Sequence, residues 1–247
     1  MRDDYPGCYI RNHAHAEVLT GSVADAHATT SPGYVLMGGG KDVDSTFQWL
    51  IRKSGGGDIV VIRASGADGY NPYINGLGRV DSVESLLIAT PEAARDPFML
   101  ERIREAEALF IAGGDQWNYV RVWGAAAGAS RGAGADRSRR AGGRISAGLA
   151  VPGQFVFTAE KDTVTSDQAP ANPYHERVTV GGEFVHIPAL AGVITDSHFV
   201  KRDRMGRAGR ACDGSARDRG GRAYCRVGGA GRTGDDRRRR ACRAGVR

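Results

Sequence analysis

The strongest constraint on this chain is a pattern that recurs four times: a short apolar run, a glycine-rich or polar turn, then a segment of mixed character. Tyr34-Val-Leu-Met37 runs into Gly38-Gly-Gly40, and Asp58-Ile-Val-Val-Ile62 ends in the polar tip Arg63-Ala-Ser-Gly66. Residues 83–89 form a third apolar run, and Ala108-Leu-Phe-Ile-Ala-Gly-Gly-Asp-Gln116 a fourth that closes on a glycine turn. A strand buried on both faces has no polar side to show, so near-continuous apolar strands alternating with helices imply a parallel sheet covered on both faces. The expected fold class is α/β, a doubly wound, mostly parallel, flavodoxin-like sheet. In such a sheet the functional groups gather at the carboxyl ends of the strands.

The helices are read from caps and spacing. Asp44 or Ser45 is placed to cap a helix that carries Phe47, Leu50 and Ile51 on one side, and Ser54-Gly-Gly-Gly57 stops it. Tyr70-Asn-Pro-Tyr73 reads as a tyrosine-rich loop lining a cleft. Pro91 is expected to open a helix with Phe98, Leu100, Ile103 and Ala106 on one face. Another helix starts with Trp117, Tyr119, Val120 and Val122. Further strands are expected at 154–157, 184–187 and 192–195, in the same sheet.

At 247 residues the chain is long enough for one domain with a sizeable core, expected over residues 33–207. Residues 1–32 are polar and mixed and read as a flexible leader; His13, His15 and His27 have no regular frame to hold a metal. Two stretches differ in texture. Residues 124–144 are almost entirely Gly, Ala, Ser and Arg, with neither the packed helix nor the buried strand that the fold needs there. Residues 208–247 form a basic, low-complexity tail containing Arg237-Arg-Arg-Arg240. Both have the composition that an out-of-frame reading of a GC-rich gene produces, and as genuine protein they would be disordered basic arms.

Those stretches account for the net charge of +6, so the charge argues against a nucleic-acid partner for the domain itself. Cys8, Cys212, Cys225 and Cys242 lack the paired spacing of a zinc site or a disulfide framework. With no dinucleotide fingerprint either, no cofactor and no metal are expected. No apolar run approaches the ~18–20 residues of a membrane span, so no membrane partner is expected and a cytoplasmic location is the default. A homodimer is left open.

The stretch Arg144-Ile-Ser-Ala-Gly-Leu-Ala-Val151 carries the chemistry. A serine followed by small residues reads as a nucleophile elbow, in which a strand ends, the serine sits on a tight bend and a helix starts behind it. Ala147 and Gly148 are small because that helix must approach the sheet closely, and its free N–H groups can stabilise an oxyanion. Further along, Gly192-Val-Ile-Thr-Asp-Ser-His-Phe199 delivers Asp196 and His198 at a strand end. A serine needs a base to take its proton, and the base needs an acid to orient it.

Taken together, Phe110-Ile-Ala-Gly-Gly-Asp-Gln116, Ser146-Ala-Gly148 and Asp196-Ser-His-Phe199 with Arg202, Arg204 and Arg207 resemble the serine peptidases that include dipeptidase E and cyanophycinase. The match is closer to the cyanophycinase-like branch and covers about residues 33–123 and 145–207. The resemblance implies a class I glutamine amidotransferase-like sheet and an exopeptidase acting on aspartyl or β-aspartyl peptides, with a small acidic peptide as partner. It implies Ser146 as nucleophile, His198 as general base, and the N–H groups of Gly114 and Ala147 as oxyanion hole. Asp115, Gln116, Asp196, Arg202 and Arg204 are implied as substrate-binding residues. The acid of the triad is assigned by position to Asp162, with Asp167 and Glu160 as rivals. This chain has Gly142-Gly-Arg-Ile-Ser-Ala-Gly148 where the family has Gly-Gly-Thr-Ser-Ala-Gly, and Asp196-Ser-His-Phe199 where cyanophycinase has Asp-Gln-His-Phe. A catalytically impaired member and a nucleic-acid-binding protein that uses the basic arms are the alternative readings.

Overall fold

The computed structural model describes residues 8–12, 16–124, 141–145, 147–172, 175–181, 187, 190, 193–199, 201–204 and 206–207. Seven strands among them form one sheet. In chain order they are β1 (Cys8–Asn12), β2 (Ala16–Gly21), β3 (Gly33–Met37), β4 (Ile59–Arg63), β5 (Ser82–Leu87), β6 (Ala108–Ile111) and β7 (Ala141–Ile145). The spatial order is β1-β2-β5-β4-β6-β7-β3; β5, β4, β6, β7 and β3 run parallel, and β1 and β2 add an antiparallel ribbon.

Alternation along the strands separates two cores. Val60, Ile62, Leu109 and Ile111 face one side, where they pack with Met99 and Ile103 of α3 (Pro97–Glu105) and with Tyr119, Val120 and Trp123 of α4 (Gln116–Gly124). Ile59, Val61, Ala108 and Phe110 face the other side, against Phe47, Leu50 and Ile51 of α1 (Asp44–Lys53) and Ile74 of α2 (Tyr70–Leu77). This is the expected doubly wound α/β sheet.

Several local expectations need correction. Residues 8–12 and 16–21 are not a leader outside the domain: β2 pairs with β5, Leu19 is buried, and Asn71 Nδ2 donates to Val18 O at 2.7 Å. The 124–144 stretch does supply a strand, since β7 pairs with β3 on one side and β6 on the other. Backbone hydrogen bonds are indifferent to side chains, so Ala141, Gly142 and Gly143 serve a central strand without an apolar run. The tyrosine-rich segment is the helix α2. Pro91 leads into a short 3-10 turn, and α3 starts later, with Pro97 in its first turn and Asp96 accepting from Phe98 N at 2.8 Å. Asp44 opens α1 without capping it.

Beyond β7 come α5 (Ala147–Ala150), β8 (Val156–Phe157), α6 (Gln168–Ala171) and β9 (Val180–Gly181). β8 and β9 pair with each other in a small separate sheet rather than extending the main one, around Phe157, Val164, Ala169 and Ile194. The expected strand at 192–195 is a single parallel bridge from Ile194 to Phe155. Most of the expected strand at 184–187 lies outside the described residues, as does the tail from 208 onward. Among the described residues, no helix is long and apolar enough to cross a membrane.

Candidate active site

Three adjacent strands deliver their carboxyl ends to one place. β7 lies between β3 and β6, with Met37 opposite Ile145 and Ile111 opposite Arg144. The chain continues from them into Gly38-Gly-Gly40, into Ser146 and into Ala112-Gly-Gly-Asp115. Ser146 itself lies outside the described residues; Ile145 ends β7 just before it and Ala147 opens α5 just after it. A side chain at Gly148 would collide with Ile111 O and come within 2.7 Å of Ala112 O, so the helix behind the serine does pack against the end of β6.

His198 is tied to the neighbouring strand end. Its N–H donates to Gly38 O at 2.8 Å, one residue beyond the Met37–Ile145 pair. Its backbone is left-handed, with φ of 56°, which is uncommon outside glycine. The imidazole lies over Gly39, where a side chain would fall 2.8 Å from Nδ1; the glycine also has φ of 95°. After His198 the chain turns back, with Arg202 N donating to His198 O at 2.9 Å and Arg204 N to Phe199 O at 3.0 Å. Burial first, then the cations of Arg202, Arg204 and Lys201, push the imidazole below its ordinary value, with Asp196 opposing them. The ring is therefore neutral near pH 7, the form in which a base accepts a proton.

Asp196 is buried, at 1% exposure, and fully engaged by Arg207, which is 0% exposed. The guanidinium donates from Nη2 to Asp196 Oδ1 at 2.6 Å and from Nε to Oδ2 at 2.7 Å, a bidentate fork. It also donates to Thr163 Oγ1 at 2.6 Å and to Gln116 Oε1 at 3.5 Å, and it lies 4.4 Å over the ring of Phe157. Gln116 in turn donates to Phe157 O at 2.5 Å. Arg207 thus joins the start of α4, the segment after β8 and the His198 turn. Its role was not visible in the sequence, because nothing in an arginine-rich run tells a buried guanidinium from a solvated one.

The remaining candidates are more open. Arg202 is exposed, whereas Arg204 is 8% exposed; burial, ahead of repulsion from Arg207, brings its pKa down to about 10 despite Asp196. Arg204 Nε and Ser197 Oγ are buried without a hydrogen-bond partner among the described residues. Gly114, with φ of 143°, is exposed at the end of β6, and Asp115 beside it accepts from Trp117 N at 2.9 Å. Glu160, Asp162 and Asp167 are all exposed. Asp162 has a left-handed backbone, φ 83°, and lies 3.8 Å from Arg177, while Asp167 accepts from Thr165 Oγ1. The tyrosines expected to line a cleft bond to the segment after β3: Tyr70 donates to Asp42 at 3.1 Å and Tyr73 to Asp44 at 2.6 Å. Among the described residues, no group of three or more His, Cys, Asp or Glu could hold a metal ion.

No protein-family model matches the chain, and no curated protein matches its sequence. Among solved structures it is similar to a peptidase from an acI-B1 Actinobacterium, at 15% identity and a TM-score of 0.50 over 80% of each chain. It also aligns with a protein described as a candidate peptidase E from Listeria monocytogenes EGD-e, at 17% identity and a TM-score of 0.42, over 69% of this chain and 83% of that one. The chain has the α/β fold of the actinobacterial peptidase.

Proposed function

We propose that this protein is a serine-type peptidase that removes residues from aspartyl or β-aspartyl peptides. The observation that carries the reading is the position of His198. A neutral imidazole is bonded through its backbone to the end of β3, and β3 pairs with the strand that ends immediately before Ser146. The fold shared with a peptidase supports the same reading.

In this mechanism Ser146 Oγ attacks the scissile carbonyl carbon while His198 takes the hydroxyl proton. The N–H groups of Ala147 and Gly114 stabilise the oxyanion. Collapse of the intermediate breaks the C–N bond, and His198 returns the proton to the leaving amine. Water then repeats the sequence on the acyl-serine, releasing the acid and restoring Ser146. Arg202 and Arg204 face the substrate's carboxylates, and the unpartnered Arg204 Nε is the donor that gains most from an anion. Gln116 and Asp196 shape the pocket from beneath, and the exposed Asp115 meets the substrate at its rim. Asp162 is the proposed acid of the triad, with Asp167 and Glu160 as alternatives.

Labelling with a small fluorophosphonate, read by intact mass, tests the proposal. One adduct is expected on the wild type and none on Ser146→Ala. His198→Gln should slow labelling by about 10²–10⁴-fold. Of Asp162→Asn, Asp167→Asn and Glu160→Gln, only the variant that removes the triad acid should approach that loss. A folded wild type that takes no adduct refutes the peptidase reading.

A further inference from the structure

Arg63 ends β4 at the same edge of the sheet, and its backbone is held firmly. It pairs with Leu87 of β5, Ile88 N donates to its carbonyl at 2.7 Å, and Ala112 N donates to the preceding Ile62 O at 3.1 Å. Its side chain is also constrained. Nε donates to Ser65 O at 3.1 Å, and the guanidinium carbon lies 5.5 Å from the centre of the Tyr70 ring. A side chain at Gly66, which has φ of 90°, would come within 2.7 Å of Nη2, so the glycine leaves the guanidinium its room.

A half-buried arginine fixed in this way normally meets an acid. Arg102 has Glu84 and Arg207 has Asp196. No carboxylate among the described residues pairs with Arg63, and Asp42, on the same tyrosine, is engaged by the Tyr70 hydroxyl instead. The position is also suited to substrate. In the sheet order, β6 separates β4 from β7, so two strand spacings of roughly 4.8 Å each lie between Arg63 and the strand leading to Ser146. Between them is the turn at Gly114, and Ser65 Oγ lies 3.5 Å from where a side chain on Gly114 would begin. A carboxylate about one residue from a carbonyl seated at that turn is within reach of the guanidinium.

We propose that Arg63 is a specificity-determining residue that binds a substrate carboxylate on the β4 side of the site, opposite the Arg202 and Arg204 turn. The inference rests on the peptidase reading for the identity of its ligand. Stacking on Tyr70 and the bond to Ser65 order the fork beforehand, so less conformational freedom is lost when it closes on an anion. The carboxylate has two sources, the free terminus of the leaving residue or the side chain of the aspartyl residue.

Calorimetric binding to full-length Ser146→Ala protein at low ionic strength decides between them, using Asp-Ala, Asp-Ala amide and Asn-Ala as probes. Adding Arg63→Gln should weaken Asp-Ala binding about tenfold or more, and Arg63→Lys should weaken it less, since lysine keeps the charge and loses the fork. If the terminal carboxylate is the ligand, Arg63→Gln will leave Asp-Ala amide binding unaffected. If the side chain is the ligand, Asn-Ala will be the insensitive probe. Equal weakening of all three peptides, no change in any, or no binding of Asp-Ala to the arginine-bearing protein overturns the proposal. Fluorophosphonate labelling of the wild type reports separately on the nucleophile. A labelled wild type without Arg63-dependent binding refutes only the role of Arg63, and an unlabelled wild type with it refutes only the peptidase.

Discussion

His198 combines two features that a base requires and that come from different causes. Its geometry comes from a left-handed backbone and a ring lying over a glycine, and its neutrality from burial and nearby cations. The electrostatic part can be tested alone. Labelling of Ser146 needs neutral His198, so the rate should rise through a midpoint below the ordinary histidine value of 6.5. Arg202 is exposed and lowers the imidazole pKa, so Arg202→Gln relieves that effect and should move the midpoint upward. A pH profile of the labelling rate checks this, and a downward shift contradicts it. At this scale the sequence was informative where chemistry demands a residue type. Ser146-Ala-Gly148 and the Asp196-Ser-His198 strand end were picked out by spacing, and the close approach at Gly148 followed from the lack of a side chain. Arg63 was read only as part of a polar strand tip, and Arg207 was named by resemblance without its partners, because sequence does not tell a positioned guanidinium from a solvated one.

Among the elements, the most exacting is the junction that Arg207 makes. The three side chains it bonds come from three segments: the first residue of α4, the loop before α6 and the His198 turn. Removing one partner of a buried ion pair leaves the other charge without compensation, a loss of about 3–5 kcal/mol. Arg207→Met should therefore lower the melting temperature by roughly 6–20 °C for a domain of this size, measurable by calorimetry. A change within experimental error would mean that Asp196 has another counter-charge. The regular elements of the main sheet were largely legible from their apolar runs. β7 was not, since Gly142 and Gly143 carry no hydrophobic signal, and a central strand is specified by the backbone ladders on either side of it. α2 was read as a loop because its asparagine, proline and glycine are poor helix formers, and packing of Ile74 and the tyrosines overrides that preference.

For the molecule as a whole, the antiparallel ribbon is the element that sequence reading misplaced most. β1 and β2 are too polar and too close to the terminus to announce a place in the core, yet β2 covers one edge of β5. Deleting residues 1–21 should expose that edge, remove Leu19 from the core and promote edge-to-edge association, seen as higher mass by light scattering. A truncated chain that stays monomeric would show that β5 is protected some other way. The Arg207 junction has a consequence in time rather than in space. Synthesis proceeds from the amino terminus, and Gln116, Thr163 and Asp196 all leave the ribosome before Arg207 does. Until that late arginine emerges, Asp196 has only the more distant Arg204, 4.0 Å away, and lacks its bidentate partner. A nascent chain can therefore form the backbone bonds of the histidine turn before it can lock Asp196, Thr163 and Gln116 together through one guanidinium.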